Sequence, residues 1–436
     1  MLKIKYITHA CLYIEIDNTK ILVDPWLKGP SWGGNIWHFP KNNFQIKDFK
    51  IPDIIFFSHG HDDHFHYPTI KEIPENWKKK CKIISADYGP ENKWWLYELK
   101  KAKFKNINLL KHKEKYFYNK KFEIKLYHND QNETDCSLAL KYKGKTIFLQ
   151  TDNIMSVHQA KEIALENKIN VSFMMPHMTG SFPAFYRLKP HNPETMIEGA
   201  KNKNLNSLKY TLKISKILKP KYIVPYASDI AYMGENFYAN LFNISDKNIF
   251  KNFIQNNKIK SKVKIMSPGD QITLDSGKFK FKLSKYKFSF DDLKKFYYQN
   301  IEEYDKVLEE EKKYTKPNIV KLRNIFIKSL LKYYNLNNPK IKFNFIFKIK
   351  ENKNQIINFK ITEKKINYKI LNKISDKNDL ILEIESFRIR RMLHGDYPMQ
   401  FLTFHNGGYH CTRNNTYLTK KEKKFWQWIN YFSIEN

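Results

Sequence analysis

In the stretch Asp53-Ile-Ile-Phe-Phe-Ser-His-Gly-His-Asp-Asp-His-Phe-His66, the residues His59, His61, Asp63 and His64 fall within six positions. Several imidazole nitrogens and a carboxylate aimed at one spot are what a cluster of first-row metal ions requires. The apolar run Ile54 to Phe57 reads as a short buried strand, and Ser58-His59-Gly60 breaks it into a turn. A polar loop with incidental histidines is the plainer alternative. The order His-x-His-x-Asp-His, directly after an apolar strand, is too specific for it.

Two more candidates stand at strand ends. Lys121-Phe-Glu-Ile-Lys-Leu-Tyr-His128 alternates as a strand and delivers His128, and Lys145-Thr-Ile-Phe-Leu-Gln-Thr-Asp152 ends in Asp152. By charge and geometry, His59, His61 and His128 can form one three-nitrogen site. Asp63, His64 and Asp152 can form a neighbouring one, with Asp152 bridging two metals. Two cations roughly 3.5–4 Å apart share a hydroxide or bind dioxygen. The bland readings are an ordinary strand-end histidine for His128 and a helix N-cap for Asp152. His9 and Asp24 read as turn residues or supports behind the ligands rather than as direct ligands.

The elements that must position these groups alternate between strand and helix. Residues 2–7 and 12–16 read as strands around Thr8-His9-Ala10-Cys11, and Lys20-Ile-Leu-Val-Asp24 as a third. The loop from Leu27 to Pro40 holds Gly, Pro, Trp32 and Trp37, and a loop this long and aromatic suits a pocket wall. Simple packing of its tryptophans is the alternative. Helices are expected over 68–73, 92–101, 157–167 and 193–218, and strands over 81–85, 137–142, 145–152, 171–176 and 221–225. The strand at 171–176 runs into His177, and a second loop from Gly180 to Pro193 carries Arg187. The pattern predicts a layered α/β sandwich with the candidate ligands in loops at one edge.

From about Phe288 the character changes. Charged helices are expected over 290–313 and 318–334, strands over 340–350, 355–361, 366–371 and 380–386, and a helix over 419–432. The expected division is a metal-binding catalytic domain over 1–285, a helical connector over 286–318, and a small α+β domain over 319–436.

At 436 residues the chain exceeds one comfortable core. Its formal charge of +33 invites a polyanion partner, yet only six of the 77 basic residues are Arg, the residue favoured for bidentate phosphate recognition. The lysines are spread evenly, so nucleic acid is disfavoured, while a small anionic substrate would still be attracted. Cys11, Cys81, Cys136 and Cys411 form no C-x-x-C pair, which argues against a disulfide framework, a structural zinc knuckle and a Rieske cluster. The N-terminus lacks a signal-like apolar block, and no run of about 18 apolar residues suggests a membrane span. A soluble cytoplasmic protein without membrane contact is the expectation.

The order His59-x-His61-x-Asp63-His64, then His128, then Asp152 resembles the metallo-β-lactamase superfamily. Asp24-Pro-Trp-Leu-Lys-Gly-Pro, Tyr67-Pro-Thr-Ile-Lys, Asp135-Cys136, Tyr142-Lys-Gly-Lys, Met174-Met-Pro-His-Met-Thr-Gly-Ser-Phe-Pro183 and Leu218-Lys-Pro-Lys-Tyr-Ile-Val-Pro-Tyr-Ala227 resemble one branch of it. That branch holds the CMP-N-acetylneuraminate and UDP-N-acetylmuramate hydroxylases. The resemblance spans about residues 4–240, with a weaker likeness near 404–432. It implies an αββα metallo-β-lactamase-like sandwich with a smaller C-terminal α+β region, holding one or two metals at its loop edge.

The resemblance also implies a di-metal enzyme, with iron favoured and zinc or manganese as alternatives. His59, His61, Asp63, His64, His128 and Asp152 would be its metal ligands. Trp32, Trp37 and Arg187 would bind an anionic substrate such as a sugar nucleotide, and Asp63 and His177 are the catalytic candidates. An oxygen-using hydroxylation of the sugar's N-acyl group is the leading reading, and a zinc or manganese hydrolase of an ester, amide, lactone or phosphodiester the second. Most hydrolases of the superfamily are expected to place a final histidine ligand where this chain reads Pro225-Tyr226-Ala227-Ser228. Two departures from the hydroxylase branch stand out. There is no Rieske pair, so a separate electron-donor protein would be needed, and position 177 is His where an acidic residue is expected. His177 is open as an altered ligand, a base near the substrate or a loop histidine.

Overall fold

The computed structural model describes residues 1–32, 34–88, 99–118, 122–131, 135–176, 186–188, 193–234, 237, 240, 246–313, 317–374, 378–393, 409–413 and 419–429. Two sheets face each other across a shared core. The first runs, in spatial order, Lys278–Lys282, Gln271–Asp275, Leu2–Thr8, Cys11–Ile16, Thr19–Val23, Ile54–Phe56, Lys82–Ala86 and Asn106–Leu110. The second runs Lys262–Val263, Tyr222–Pro225, Ile169–Met174, Lys145–Leu149, Cys136–Tyr142, Phe122–His128 and Lys115–Tyr118. Period-two alternation sets their faces. In the first strand Leu2, Ile4 and Tyr6 are buried between the sheets while Lys3 and Lys5 look outward. The opposing sheet meets them with Ile124, Leu126, Leu138, Leu140 and Ile147.

Helices close both outer faces. Tyr67–Glu72 and Glu75–Lys80 bury Tyr67, Ile70 and Trp77 on the first sheet, linking the parallel strands Ile54–Phe56 and Lys82–Ala86. Val157–Glu166, Pro193–Leu218 and Lys247–Asn256 cover the second sheet through Ala160, Ile163, Leu208, Leu212, Phe250 and Ile254. The expected αββα sandwich is what forms. The expected helix over 92–101 lies mostly outside the described residues. The hairpin Gln271–Asp275/Lys278–Lys282 joins the first sheet through Leu2↔Leu274, a pairing too distant in sequence for local pattern to reveal.

A third sheet runs Tyr186–Leu188, Tyr409–Arg413, Leu380–Glu385, Phe343–Lys350, Gln355–Ile361 and Ile366–Leu371. Its core joins Phe343, Phe345 and Phe347 to Phe326 and Leu330 of helix Ile319–Asn337 and to Phe425 and Trp428 of helix Lys420–Ile429. The strand Tyr186–Leu188 reaches it from far upstream, pairing in parallel with Tyr409–Arg413. Helix Phe290–Lys312, whose N-cap Ser289 accepts the Asp292 amide at 3.0 Å, packs Leu293, Phe296 and Tyr304 on Trp37, Ala231 and Met233. Among the described residues, no helix is long and apolar enough to cross a membrane.

Candidate metal centre

The polar side chains gather at one edge of the sandwich because each follows or precedes a core strand there. His9 lies in the turn between Leu2–Thr8 and Cys11–Ile16, and Asp24 follows Thr19–Val23. His59 to His64 follow Ile54–Phe56, Asp135 precedes Cys136–Tyr142, and Asp152 follows Lys145–Leu149. Rigid strands thus aim five segments at one spot, which is how a fold positions ligands within the tolerance that metal binding needs.

Three groups of donor atoms result, each drawn together within 4.8 Å: His59, His61 and Asp135; His59, His64 and Asp152; and His9, Asp63 and His64. Asp152 spans them. Its Oδ1 lies 3.2 Å from His64 Nε2 and its Oδ2 lies 3.6 Å from His59 Nε2. Asp135 Oδ1 is 3.8 Å from the same His59 nitrogen, and His61 Nδ1 is 2.8 Å from it. On the other side, Asp63 Oδ2 lies 3.1 Å from His9 Nε2 and 4.0 Å from His64 Nε2.

The residues behind the donors hold their rings in place. Asp24 is fully buried; its Oδ1 accepts the Ser58 amide at 2.7 Å, and its Oδ2 accepts the Ser58 hydroxyl at 2.7 Å. The same Oδ2 lies 2.9 Å from His64 Nδ1, which leaves His64 Nε2 facing the cluster. His9 is held by its backbone: its amide donates to Asp229 at 3.2 Å, and its carbonyl accepts from the Tyr6 hydroxyl at 2.9 Å and from the Ala227 amide at 3.0 Å. Asp229 in turn takes the buried Lys247 ammonium at 2.7 Å.

The electrostatics fit cation binding. Burial, followed by the neighbouring His64, His61 and His9 rings, holds His59 well below the ordinary histidine range. Burial also lowers His61, against the pull of Asp63 and Asp152. Neutral imidazoles keep a lone pair for a metal. Burial disfavours charge on His64 too, but Asp152, Asp24 and Asp63 outweigh it and push that ring well above its usual value. Burial would raise Asp63, yet His64, His9 and His61 hold it well below the usual carboxylate range. Asp63 Oδ1 and His9 Nδ1 are buried and make no hydrogen bond. Crowded imidazoles, carboxylates and an orphaned carboxylate oxygen form a donor set suited to divalent ions.

His59, His61, Asp63, His64 and Asp152, read from sequence as metal ligands, are therefore brought together. His128 stands apart: it belongs to none of the three groups, and its Nε2 lies 2.9 Å from the Leu110 carbonyl, beside the Tyr88 and His112 rings. The Leu110 carbonyl that it meets stands on the edge strand of the first sheet. Asn106–Leu110 lies two strands beyond Ile54–Phe56, a lateral offset of roughly 10 Å at the usual strand spacing. Asp135 takes the place beside His59 and His61. Its signal is the pairing Cys136↔His128, which puts Asp135 just past the same strand end. His9, read as a turn residue, also brings its ring to the donors.

The aromatic loop does reach the site. Trp32 lies with its ring centroid 5.5 Å from that of His61, and its amide donates to the Asp62 carboxylate at 2.5 Å. Trp26 lies tilted against His38 with centroids 3.7 Å apart, and His66 Nε2 donates to the Pro30 carbonyl at 3.1 Å. Burial keeps His66 neutral, its pKa at about 3. Trp37 turns away: its Nε1 donates to the Gly34 carbonyl at 2.8 Å, and its ring packs under helix Phe290–Lys312. Arg187 is placed by its backbone in strand Tyr186–Leu188, opposite Thr412. Its side chain and the whole of His177 lie outside the described residues.

Residues 3–160 match the Beta-lactamase superfamily domain. The cytidine monophosphate-N-acetylneuraminic acid hydroxylase of Xenopus laevis is 26% identical over 278 residues, covering 62% of this chain and 44% of that protein. The enzyme of the same name from Cricetulus griseus is 27% identical over 286 residues, covering 63% and 48%. The chain thus spans about half the length of these curated relatives. Among solved structures, a diiron β-hydroxylase from Streptomyces venezuelae superposes with a TM-score of 0.43 at 14% identity, over 62% of this chain and 53% of that one. A metallo hydrolase from Ignicoccus hospitalis does so with a TM-score of 0.41 at 16% identity, over 62% and 97%. The chain carries a metallo-β-lactamase superfamily domain, and the donor cluster is built on it.

Proposed function

We propose that this chain is a dinuclear metal enzyme that uses dioxygen to hydroxylate the N-acyl group of an activated amino sugar, such as a nucleotide sugar. The observation that carries the reading is the donor chemistry beside His59. His59, His61 and Asp135 make a two-histidine, one-carboxylate set, the combination that suits non-haem ferrous oxygenases. Asp152, with one oxygen toward His59 and the other toward His64, is placed to join a second ion to the first. Iron is favoured, with zinc or manganese as alternatives. The likeness to hydroxylases of a cytidine monophosphate sugar supports an anionic substrate, which the net charge of +33 would attract.

A second reading rests on the same Asp152: with His59 and His64 it would hold divalent ions that suit hydrolysis of an ester, amide, lactone or phosphodiester. When bound, the metals supply activation of dioxygen in the first reading and of water in the second. The chain's own residues do the rest in either case. Asp24 fixes the His64 ring through Nδ1, and Asp62 holds Trp32 beside His61. Arg187 and His177 are proposed to act on the substrate, and a separate electron-donor protein would serve the hydroxylase.

The deciding experiment is anaerobic purification and metal analysis, followed by dioxygen, an electron donor and a panel of sugar nucleotides. Two irons with oxygen uptake that depends on substrate support the hydroxylase. Zinc occupancy, with hydrolysis indifferent to oxygen, replaces it with the second reading.

A further inference from the structure

We propose that His9 is a direct ligand of the second metal ion, completing with Asp63, His64 and the bridging Asp152 the set opposite His59, His61 and Asp135. The inference rests on the dinuclear reading and goes beyond it, because His9 comes from a turn that precedes the histidine-rich segment by fifty residues. Asp63 and His64, with one oxygen of Asp152, leave a second ion short of the four donors that most such sites need. The strand Tyr222–Pro225 ends at the same edge but leads into Tyr226, Ala227 and Ser228, which offer neither imidazole nor carboxylate. His9 sits beside that strand end. Its carbonyl accepts the Ala227 amide at 3.0 Å, so the backbone that brings no donor of its own positions one from another strand.

The ring is placed for ligation. His9 Nε2 lies 3.1 Å from Asp63 Oδ2, and His9, Asp63 and His64 put one donor atom each within 4.8 Å. His9 is 2% exposed, and its Nδ1 has no hydrogen-bond partner. Trp26 and His64 meet the ring edge-on, with centroids 5.5 and 5.7 Å away, and restrict its rotation. The backbone is costly to hold: φ is +46° at a non-glycine residue, a left-handed conformation that persists only where its surroundings enforce it. Here the Asp229 carboxylate grips the His9 amide at 3.2 Å, and the Tyr6 hydroxyl bonds the carbonyl at 2.9 Å. Local strain enforced by buried partners, at a residue whose ring enters a donor cluster, is the pattern of a functional position.

The test is Mn2+ binding to metal-depleted full-length protein, read as ions bound per chain and as the electron paramagnetic resonance signature of a coupled pair. Wild type is expected to bind two ions with a coupled spectrum. His9→Gly, which suits the positive φ, is expected to keep the ion at His59, His61 and Asp135 and weaken the other by roughly tenfold or more, with the coupled spectrum lost. Added imidazole, filling the space of the missing ring, is expected to restore both. His9→Gln serves as the check should the glycine variant fold poorly by circular dichroism. Two ions at unchanged affinity in both variants would overturn the assignment while leaving the dinuclear reading intact. Loss of the second ion without rescue by imidazole would overturn it too, making His9 a support for Asp63 rather than a donor. One ion or none in wild type would remove the dinuclear reading itself, and the assignment with it.

Discussion

The amide of Trp32 donates to the carboxylate of Asp62 at 2.5 Å, so the aromatic loop is tied by a charge-assisted bond to the turn that carries His59, His61, Asp63 and His64. Asp62 is 1% exposed and bonds a loop residue thirty positions upstream. Trp32 accepts a left-handed φ of +54° in reaching it. Asp62→Ala is expected to cost about 1.5–3 kcal/mol of unfolding free energy and to raise the apparent KM while the ions per chain stay unchanged. Denaturant unfolding and metal analysis on the same preparation check both halves.

Asp135 and His128 make opposite predictions. Asp135→Ala should lose the ion beside His59 and His61, because its carboxylate lies 3.8 Å from His59 Nε2. His128→Ala should keep both ions, since the ring is engaged with the Leu110 carbonyl. Metal content after gel filtration distinguishes them. The reverse outcome would restore His128 as a ligand and remove Asp135.

Lys247 and Asp229 form a buried ion pair at 2.7 Å, with side chains 0% and 2% exposed. Burial presses the Lys247 pKa down, while Asp229 opposes it. Lys247→Met leaves a buried carboxylate without its cation and is expected to cost about 3–5 kcal/mol. Because Asp229 still reaches the His9 amide, metal binding in the surviving folded protein should change little. Denaturant melts and Mn2+ titration read the two effects separately.

Acid sensitivity has an identifiable contributor outside the donor cluster. Burial would raise Glu166, but hydrogen bonds from Lys113, Lys125 and Tyr127 outweigh it and hold the carboxyl at about 2, against an ordinary value of 4.5. A carboxyl depressed in the folded state stabilises fully above its unfolded pKa and loses that contribution as pH falls toward the folded one. Glu166→Gln should therefore lower stability at neutral pH and flatten the decline between about pH 4.5 and 2. Thermal melts across that window measure it. Parallel slopes in the two proteins would sink the assignment.

Gly234 is needed where helix Phe290–Lys312 docks. Its φ is +60°, and a Cβ there would collide with the Tyr304 hydroxyl and ring. Gly234→Ala should destabilise by more than the ~1 kcal/mol that left-handed backbone alone costs, and Tyr304→Ala in the same chain should recover part of the loss. A double-mutant cycle on unfolding free energy shows whether the two are coupled.

What the chain declares on its own is local. Apolar alternation places the strands Leu2–Thr8, Cys11–Ile16, Phe122–His128, Cys136–Tyr142 and Tyr222–Pro225 and the helices Val157–Glu166, Pro193–Leu218 and Phe290–Lys312 to within a residue or two, but it misses Asn106–Leu110, Lys115–Tyr118 and the hairpin Gln271–Asp275/Lys278–Lys282. The crowding of His59, His61, Asp63 and His64 within one turn is visible in the linear order, because a tight turn after a buried strand leaves its polar groups one edge to occupy. Asp152 is visible for the same reason, as a polar residue just past a core strand.

Which residues join them depends on neighbours in space. His128 meets the Leu110 carbonyl, on a strand two places beyond Ile54–Phe56, while Asp135 lies beside His59, a distinction that one strand's alternation cannot express. His9 enters through a local bond from Tyr6 and through bonds with Ala227 and Asp229, which are more than two hundred positions away in the chain. Trp32 and Trp37 look equivalent in the loop, but Asp62 holds one at the metal turn while helix Phe290–Lys312 packs over the other. The strand Tyr186–Leu188 pairs with residues more than two hundred positions later. Periodicity determines which face a residue takes, but the order of strands and the packing of helices decide which faces meet. Those depend on long-range burial that no local window of the sequence contains.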